Sequence, residues 1–195
     1  MAGRGACPTL LCLALMVLPA AAGTITGTVK AARARDNRDA VVYVDRIPGK
    51  QFPRPANPVI LDQINLVFIP HVLPVLAGAT VAFPNNDTVR HNVFSPSPAK
   101  RFNLGTYAQK VTKNVVFDKP GVVALLCNVH AEMSAYVVVT ETPYSAVTNP
   151  AGEYIISSVP PGSYVLKVWH ESSKPKEQKV EVKEGSPVRA DFDLR

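Results

Sequence analysis

The feature that most constrains the fold of this chain is a short cluster of metal-binding residue types, Cys127-x-x-His130-x-x-Met133, which directly follows an apolar run. A second histidine, His91, lies well upstream in the sequence His-Asn-Val. A thiolate and two imidazoles in a trigonal plane, with a weak axial thioether, form the ligand set of a blue-copper site. One tight turn can present the three downstream side chains to a single ion, whereas His91 has to come from another strand. The fold must therefore bring His91 beside this turn.

The amino-terminal residues have the pattern of a secretory signal peptide. Residues 1–22 combine a basic start at Arg4, an apolar run over residues 10–18 and a small-residue end at residues 20–22. The apolar run is too short for a membrane span, which needs about 20 apolar residues. We therefore expect a periplasmic or secreted protein without a membrane span.

Cleavage after residue 22 would leave 173 residues in which Cys127 is the single cysteine, because Cys7 and Cys12 are removed. No internal disulfide is then possible. A lone thiol in an oxidising compartment needs something that occupies it, and a bound metal is one such occupant. The alternative is a buried, inert cysteine that serves only as a small apolar residue.

The formal charge of the mature chain is +5, since removal of Arg4 lowers the total of +6 by one. Such a surplus favours an acidic protein partner or an anionic surface. The basic residues are scattered and no recognition helix is evident, so the sequence does not predict binding to nucleic acid.

The hydrophobic pattern predicts strands along almost the whole chain and no helix of useful length. Residues 24–29 alternate, and residues 40–44 are β-branched and aromatic. Residues 48–58 contain four prolines and a glycine, which cannot sustain a ladder of backbone hydrogen bonds, so this segment is predicted to be a linker. After it, short extended segments alternate with turn residues, which indicates an antiparallel sandwich or barrel. The predicted segments are 59–61, 65–68, 72–75, 80–83, 111–117, 122–126 and 135–139. The expected fold class is therefore all-β.

Residues 57–141 resemble the cupredoxins, with the short ligand loop of the amicyanin type. The motifs that carry this resemblance are Phe83-x-Asn85-x-Asp87, His91-Asn92-Val93, Phe117-x-x-Pro120-Gly121 and Cys127-x-x-His130. The resemblance implies a Greek-key β-sandwich that binds one type 1 copper ion.

The same resemblance assigns roles to single residues. His91, Cys127 and His130 would be the equatorial ligands and Met133 the axial ligand, while Asn92 would brace the ligand loop through hydrogen bonds. The longer arrangement, which includes residues 68–73 and the later Trp-His pair, is similar to periplasmic proteins labelled as methylamine-utilisation proteins. Nothing in the residues shows methylamine chemistry.

The carboxyl-terminal part resembles a different family, the carboxypeptidase regulatory-like β-sandwich. The motifs are Thr148-Asn149-Pro150-Ala151-Gly152-Glu153-Tyr154 and Val159-Pro160-Pro161-Gly162-Ser163-Tyr164. Members of this group begin with a Gly-x-Val strand, which Gly27-Thr28-Val29 matches far upstream. We therefore expect residues 23–56 and 142–195 to form one small sandwich, with the copper domain at 57–141 inserted in it.

Four residues near these motifs have simpler explanations than metal binding. His71 is expected to be a loop histidine, although a place near the metal stays open, and His170 is expected to be structural. Glu132 is expected to be a solvated carboxylate that could favour the oxidised metal. Met133 could be a core residue, but its position three residues after His130 favours ligation.

The function predicted from these residues is single-electron transfer between redox proteins, without catalysis, and the edge of His130 is the expected exit for the electron. Zinc explains the pattern less well because methionine is not among its usual ligands. A cysteine hydrolase is also disfavoured, since no residue is evident that would orient the histidine as a base. The open alternative is a non-redox protein, either a copper-holding protein or an adhesion and binding module.

Overall fold

A computed structural model describes residues 22–32 and 34–195, so all but the last residue of the predicted signal peptide lies outside it. Within these ranges the chain forms eighteen β-strands and no helix, which confirms the all-β prediction. The described residues accordingly include no helix that could cross a membrane. The strands are β1 (Gly23–Lys30), β2 (Val41–Val44), β3 (Val59–Ile60), β4 (Asp62–Ile64), β5 (Val67–Ile69), β6 (Val72–Leu76), β7 (Ala79–Pro84), β8 (His91–Ser95), β9 (Phe102–Tyr107), β10 (Thr112–Phe117), β11 (Gly121–Leu126), β12 (Ser134–Thr140), β13 (Ser145–Val147), β14 (Glu153–Val159), β15 (Gly162–Trp169), β16 (Lys176–Val182), β17 (Pro187–Arg189) and β18 (Phe192–Asp193).

The first two strands pair with strands from the far end of the chain. β1 lies between β14 and β17 and also pairs with β18, while β2 lies between β13 and β15. Buried and partly exposed residues alternate along β1, and its buried side chains share a core with β2 and β15 that includes Ile25, Val42 and Leu166. At Gly27 a Cβ atom would lie 1.8 Å from the carbonyl oxygen of Ala190, so the close approach of the two backbones requires glycine. We call these strands, β1, β2 and β13–β18, the small sandwich.

The central strands build a second layered unit with its own core. One sheet has the order β6-β12-β11-β8-β9 and the other has the order β10-β7-β3. Side chains from both sheets meet in a core that includes Phe83, Phe117, Leu125 and Val137. The β11–β12 pairing is antiparallel and ends at Leu126 and Ser134, so the intervening residues project from one end of the sheet. We call these strands, β3–β12, the central sandwich.

Several details differ from the sequence prediction: β4, β8 and β9 were not among the predicted segments, and one predicted strand begins with a turn. Asn65 and Leu66 were predicted to be in a strand, but they form the turn between β4 and β5, with φ values of 52° and 61°. Positive φ at both central residues is typical of a tight hairpin turn, and asparagine favours it while leucine does not, so the sequence signal was weak. The strand Phe102–Tyr107 was missed because it is an edge strand with half of its residues exposed, and Gly105 at φ 66° interrupts its side-chain pattern.

The two sandwiches touch through a third, smaller group of apolar residues. Val41 of the small sandwich is fully buried together with Val72 and Val138 of the central sandwich. Aromatic side chains flank this contact, and the rings of Tyr136 and Trp169 are 5.0 Å apart between centroids. The small sandwich therefore packs on the strand that begins directly after the predicted ligand loop.

Candidate metal centre

The downstream ligand candidates lie on the loop that joins β11 to β12. Cys127 follows the last residue of β11, and Met133 precedes the first residue of β12. The loop closes by a hydrogen bond from the backbone N–H of Met133 to the carbonyl oxygen of His130, at 3.1 Å. Cys127 and Met133 are buried in the core of the central sandwich, while His130 is partly exposed. The turn thus directs sulfur atoms inward and leaves one imidazole at the surface.

His91 reaches this loop from the start of β8, as the sequence predicted that it must. It is fully buried, and its Nδ1 atom lies 3.1 Å from Nδ1 of His130. The ligand atoms of His91, Cys127 and His130 all lie within 4.8 Å of one another. The structure therefore brings together three of the four predicted metal-binding residues, and the fourth, Met133, belongs to the same buried cluster as Cys127.

The donor set fits a single transition-metal ion. An ion about 2 Å from each of two imidazole nitrogens requires that these nitrogens lie within about 4 Å of each other, and the observed 3.1 Å meets this condition. Two imidazoles with one thiolate are donors that suit copper or zinc.

A buried carboxylate orients His91. The Nε2 atom of His91 is 3.0 Å from Oδ2 of Asp87, and because a carboxylate can only accept, Nε2 carries the proton and donates it. In a neutral imidazole this leaves a lone pair on Nδ1, the atom that faces His130. Asp87 therefore holds His91 in the tautomer that a metal site at this position requires.

Several donors converge on Asp87 and keep it ionised. Its Oδ2 atom also accepts from the backbone N–H of Leu66 at 2.7 Å, and its Oδ1 atom accepts from the N–H of Thr88 at 2.7 Å. The pKa of Asp87 is lowered to about 2, chiefly by the hydrogen bond from Leu66; burial opposes this shift, and the bonds from His91 and Thr88 add to it. The strained turn residue Leu66 is thus fixed by the carboxylate that orients His91.

Sequence reasoning assigned no role to Asp87 beyond membership of a motif. The signal that could have identified it is its place four residues before His91 in a loop, within reach of the imidazole. Asn85 is a second missed residue. It is fully buried, donates to the carbonyl oxygens of Val89 and Tyr107, and accepts from the N–H of Asp87, so it fixes the loop on which Asp87 lies.

The predicted contact of Asn92 with the ligand loop is wrong. The side-chain amide of Asn92 donates instead to Oδ1 of Asn103 in β9, at 2.8 Å. Its Oδ1 atom is buried and has no hydrogen-bond partner among the residues that the structure describes. The β8–β9 pairing changes register between Asn92 and Phe94, and this irregularity places the amide beside β9.

The remaining candidates lie outside the three-residue group. His170 is structural, as expected: its Nε2 atom donates to the carbonyl oxygen of Arg38, and its Nδ1 atom accepts from the N–H of Ser172. Glu132 is exposed on the ligand loop. His71 lies in the loop between β5 and β6, as expected, and its ring lies between the backbone of Ser134 and Glu171 of the small sandwich.

Comparison with known protein families supports the resemblance of the carboxyl-terminal part. The family of the carboxypeptidase regulatory-like domain matches residues 131–195, about a third of the chain, which confirms that resemblance for the carboxyl-terminal part. No curated protein sequence matches this chain.

Among solved structures, the chain is similar to a reduced mutant of amicyanin, with 20% identity, a TM-score of 0.41 and coverage of 44% of this chain and 84% of that chain. It is also similar to the copper-containing nitrite reductase from Thermus scotoductus, with 23% identity, a TM-score of 0.43 and coverage of 51% of this chain but only 25% of the reductase. The purple cupredoxin from Nitrosopumilus maritimus is 26% identical, with a TM-score of 0.37 and coverage of 42% of this chain and 96% of that chain. The fold and the site define an all-β protein with a His₂Cys group, in which His91 and Cys127 are buried and His130 is partly exposed.

Proposed function

We propose that this protein is a type 1 copper protein that carries single electrons between redox partners in the periplasm or another secreted compartment. The observation that carries the proposal is the meeting of His91, Cys127 and His130, whose ligand atoms lie within 4.8 Å. Met133 is proposed as the axial ligand because it is buried beside them at the end of the same loop.

Copper, when bound, would supply a one-electron couple between its +1 and +2 states, for which a mixed set of sulfur and imidazole donors is suited. The chain contributes rigidity. Cys127 and Met133 are anchored in the central core, and the tautomer of His91 is fixed by Asp87. Donors that are held in place before and after electron transfer need little rearrangement, which favours rapid exchange. The proposed role is therefore that of a carrier and not of an enzyme.

The proposed exit for the electron, called the port below, is the ring of His130, because His130 is the partly exposed member of the His₂Cys group. Its neighbour Val129 is 47% exposed, and the β4–β5 turn, which is bonded to Asp87, exposes the apolar Leu66 and Val67. Exposed apolar side chains near the port suit brief contact with a redox protein. The net positive charge of the mature chain favours an acidic partner.

The test is to load the protein with copper(II) and record its visible spectrum and its reduction by stepwise redox titration. We expect an intense blue or green thiolate-to-copper band and a reversible one-electron couple. Replacement of Cys127 by serine should abolish the band, and Met133→Leu is the matched control that should keep it.

Two results would contradict the proposal. An unchanged band in Cys127→Ser would remove the sulfur ligand from the site. Copper binding without a charge-transfer band or a reversible couple would favour the alternative, a protein that holds copper without redox activity.

A further inference from the structure

The side chain of His71 bridges the end of the ligand loop and the small sandwich. The ring nitrogen Nδ1 of His71 lies 3.1 Å from the carbonyl oxygen of Ser134, the residue that follows Met133. The other ring nitrogen, Nε2, lies 3.1 Å from Oε1 of Glu171 in the small sandwich. Both partners are acceptors, so the ring bridges them when it carries a proton on each nitrogen.

Further contacts fix the position of this ring. The carbonyl oxygen of His71 accepts from the backbone N–H of Tyr136 at 2.8 Å, so the residue is bonded twice to the start of β12. The ring also packs edge-on against Tyr136, with centroids 5.7 Å apart. Tyr136 in turn packs against Trp169, two residues before Glu171. Trp169 at the end of β15 therefore contacts Tyr136, and Glu171 in the loop that follows β15 contacts His71.

A cavity beside the ligand loop leaves room for the loop to move when the contacts of His71 with Ser134 and Glu171 are lost. A cavity of about 380 Å³ lies on this side of the loop, lined by Val67, Phe68, Ile69, His71, Glu132, Met133 and Ser134. Met133 lies at the wall of this cavity, while its side chain stays buried in the core of the central sandwich. The contacts of His71 with Ser134 and with Glu171 hold the loop in place beside this cavity.

We propose that His71 and Glu171 are positioning residues through which the small sandwich sets the contact of Met133 with the metal. This inference rests on the proposed function. The axial ligand of a blue-copper site tunes its reduction potential, and a weak axial bond responds to small displacements. A sandwich that holds Ser134 in place holds the backbone of the axial ligand, and so it contributes to the potential without touching the metal.

The experiment compares copper-loaded Glu171→Gln with wild type by redox titration and visible spectroscopy. The substitution removes the charged partner of His71, and Glu171 is exposed, so the fold should persist. We expect the blue or green band to remain and the midpoint potential to rise, in the same direction as for Met133→Leu. His71→Gln should shift the potential in the same direction, because it removes the imidazole that contacts both Ser134 and Glu171.

Two controls separate positioning from simple loss of charge. Glu177→Gln removes an exposed carboxylate from β16 of the same sandwich, and it should leave the potential close to that of wild type. In a Met133→Leu background, Glu171→Gln should cause no further shift, because the residue through which it acts is gone. A charge effect would persist in that background.

Three results would overturn the positioning role of His71 and Glu171 or the proposed function. A shift with Glu177→Gln equal to that with Glu171→Gln, or a shift that persists without Met133, would overturn the positioning role. A coloured wild-type protein with a reversible couple but no response to Glu171→Gln and His71→Gln would overturn this inference alone. A wild-type protein with neither colour nor a couple would overturn the proposed function as well.

Discussion

Replacement of Asp87 by asparagine tests how the metal centre is organised before any metal binds. Asp87 uses one oxygen to accept from Leu66 and His91 and the other to accept from Thr88. Asparagine has the same shape but only one acceptor oxygen. Its NH₂ group must therefore face N–H donors on one side, where it cannot accept their hydrogen bonds. The variant therefore loses hydrogen bonds to a buried group whichever way the amide is oriented.

The size of the effect follows from the pKa of Asp87. The carboxyl pKa falls from 3.8 to about 2 on folding, chiefly because of the bond from the Leu66 N–H. At roughly 1.4 kcal/mol per pKa unit, the ionised carboxylate stabilises the native state by about 2 kcal/mol. Because the pKa is depressed, this contribution is present in full above about pH 4 to 5 and is lost as the pH falls toward 2. Asp87→Asn should therefore be less stable than wild type by about 2 kcal/mol at pH 7, and the two proteins should converge near pH 2.

The measurement is denaturant unfolding of the metal-free proteins at pH 7 and at several lower pH values. Asp118→Asn is the matched control, since Asp118 is an exposed aspartate paired with Lys100 at the surface, and such pairs contribute little. Copper affinity should also fall about 10- to 100-fold in Asp87→Asn, because a neutral amide orients His91 less firmly than the carboxylate does. Equal unfolding free energies for Asp87→Asn and wild type at pH 7 would refute the reasoning.

Three further predictions address the axial ligand and the two sandwiches. Met133→Leu should retain copper and colour and raise the reduction potential; complete loss of copper would show instead that Met133 is structurally essential. Gly27→Ala should lower the free energy of unfolding by at least about 2 kcal/mol, since the new methyl group overlaps the backbone at Ala190. A variant as stable as wild type in denaturant unfolding would contradict the close approach of the backbones at Gly27 and Ala190. Deletion of residues 24–46 should leave β14 without β1, leave the β2 side of β15 unpaired and cause aggregation, while copper absorbance survives. A soluble, colourless product would count against the predicted boundaries at residues 57 and 141, which stay a prediction until this truncation is made.

The sequence pointed to the candidate ligands more clearly than to the residues that support them. Cys127 and His130 were identified because closely spaced ligands leave a local pattern, and His91 because a metal site needed one more imidazole from another strand. The roles of Asp87 and His71 depend on which residues their side chains meet after folding. Their partners Leu66 and Glu171 lie in other parts of the chain.

The same reason explains the errors in the fold. The positive φ of Leu66 opposes its intrinsic preference and is held by the tertiary hydrogen bond to Asp87. The strand Phe102–Tyr107 lies at a sheet edge, where exposed polar residues leave little alternation to detect. Asn92 was assigned a contact by resemblance, and a register irregularity in β8 redirected its amide.

The pairing of β1 and β2 also determines the order in which the chain can fold. Their neighbours in the sheets all lie after residue 144, so neither strand has a sheet partner until most of the chain is present. The central sandwich, by contrast, draws all its strands from residues 59–140 and can close on its own. Such distant pairings form slowly, because a long intervening segment must first be ordered or looped out. A chain that emerges from its amino terminus will therefore expose two apolar strands throughout synthesis or export, and it has to keep them from pairing with other chains until the last strands arrive.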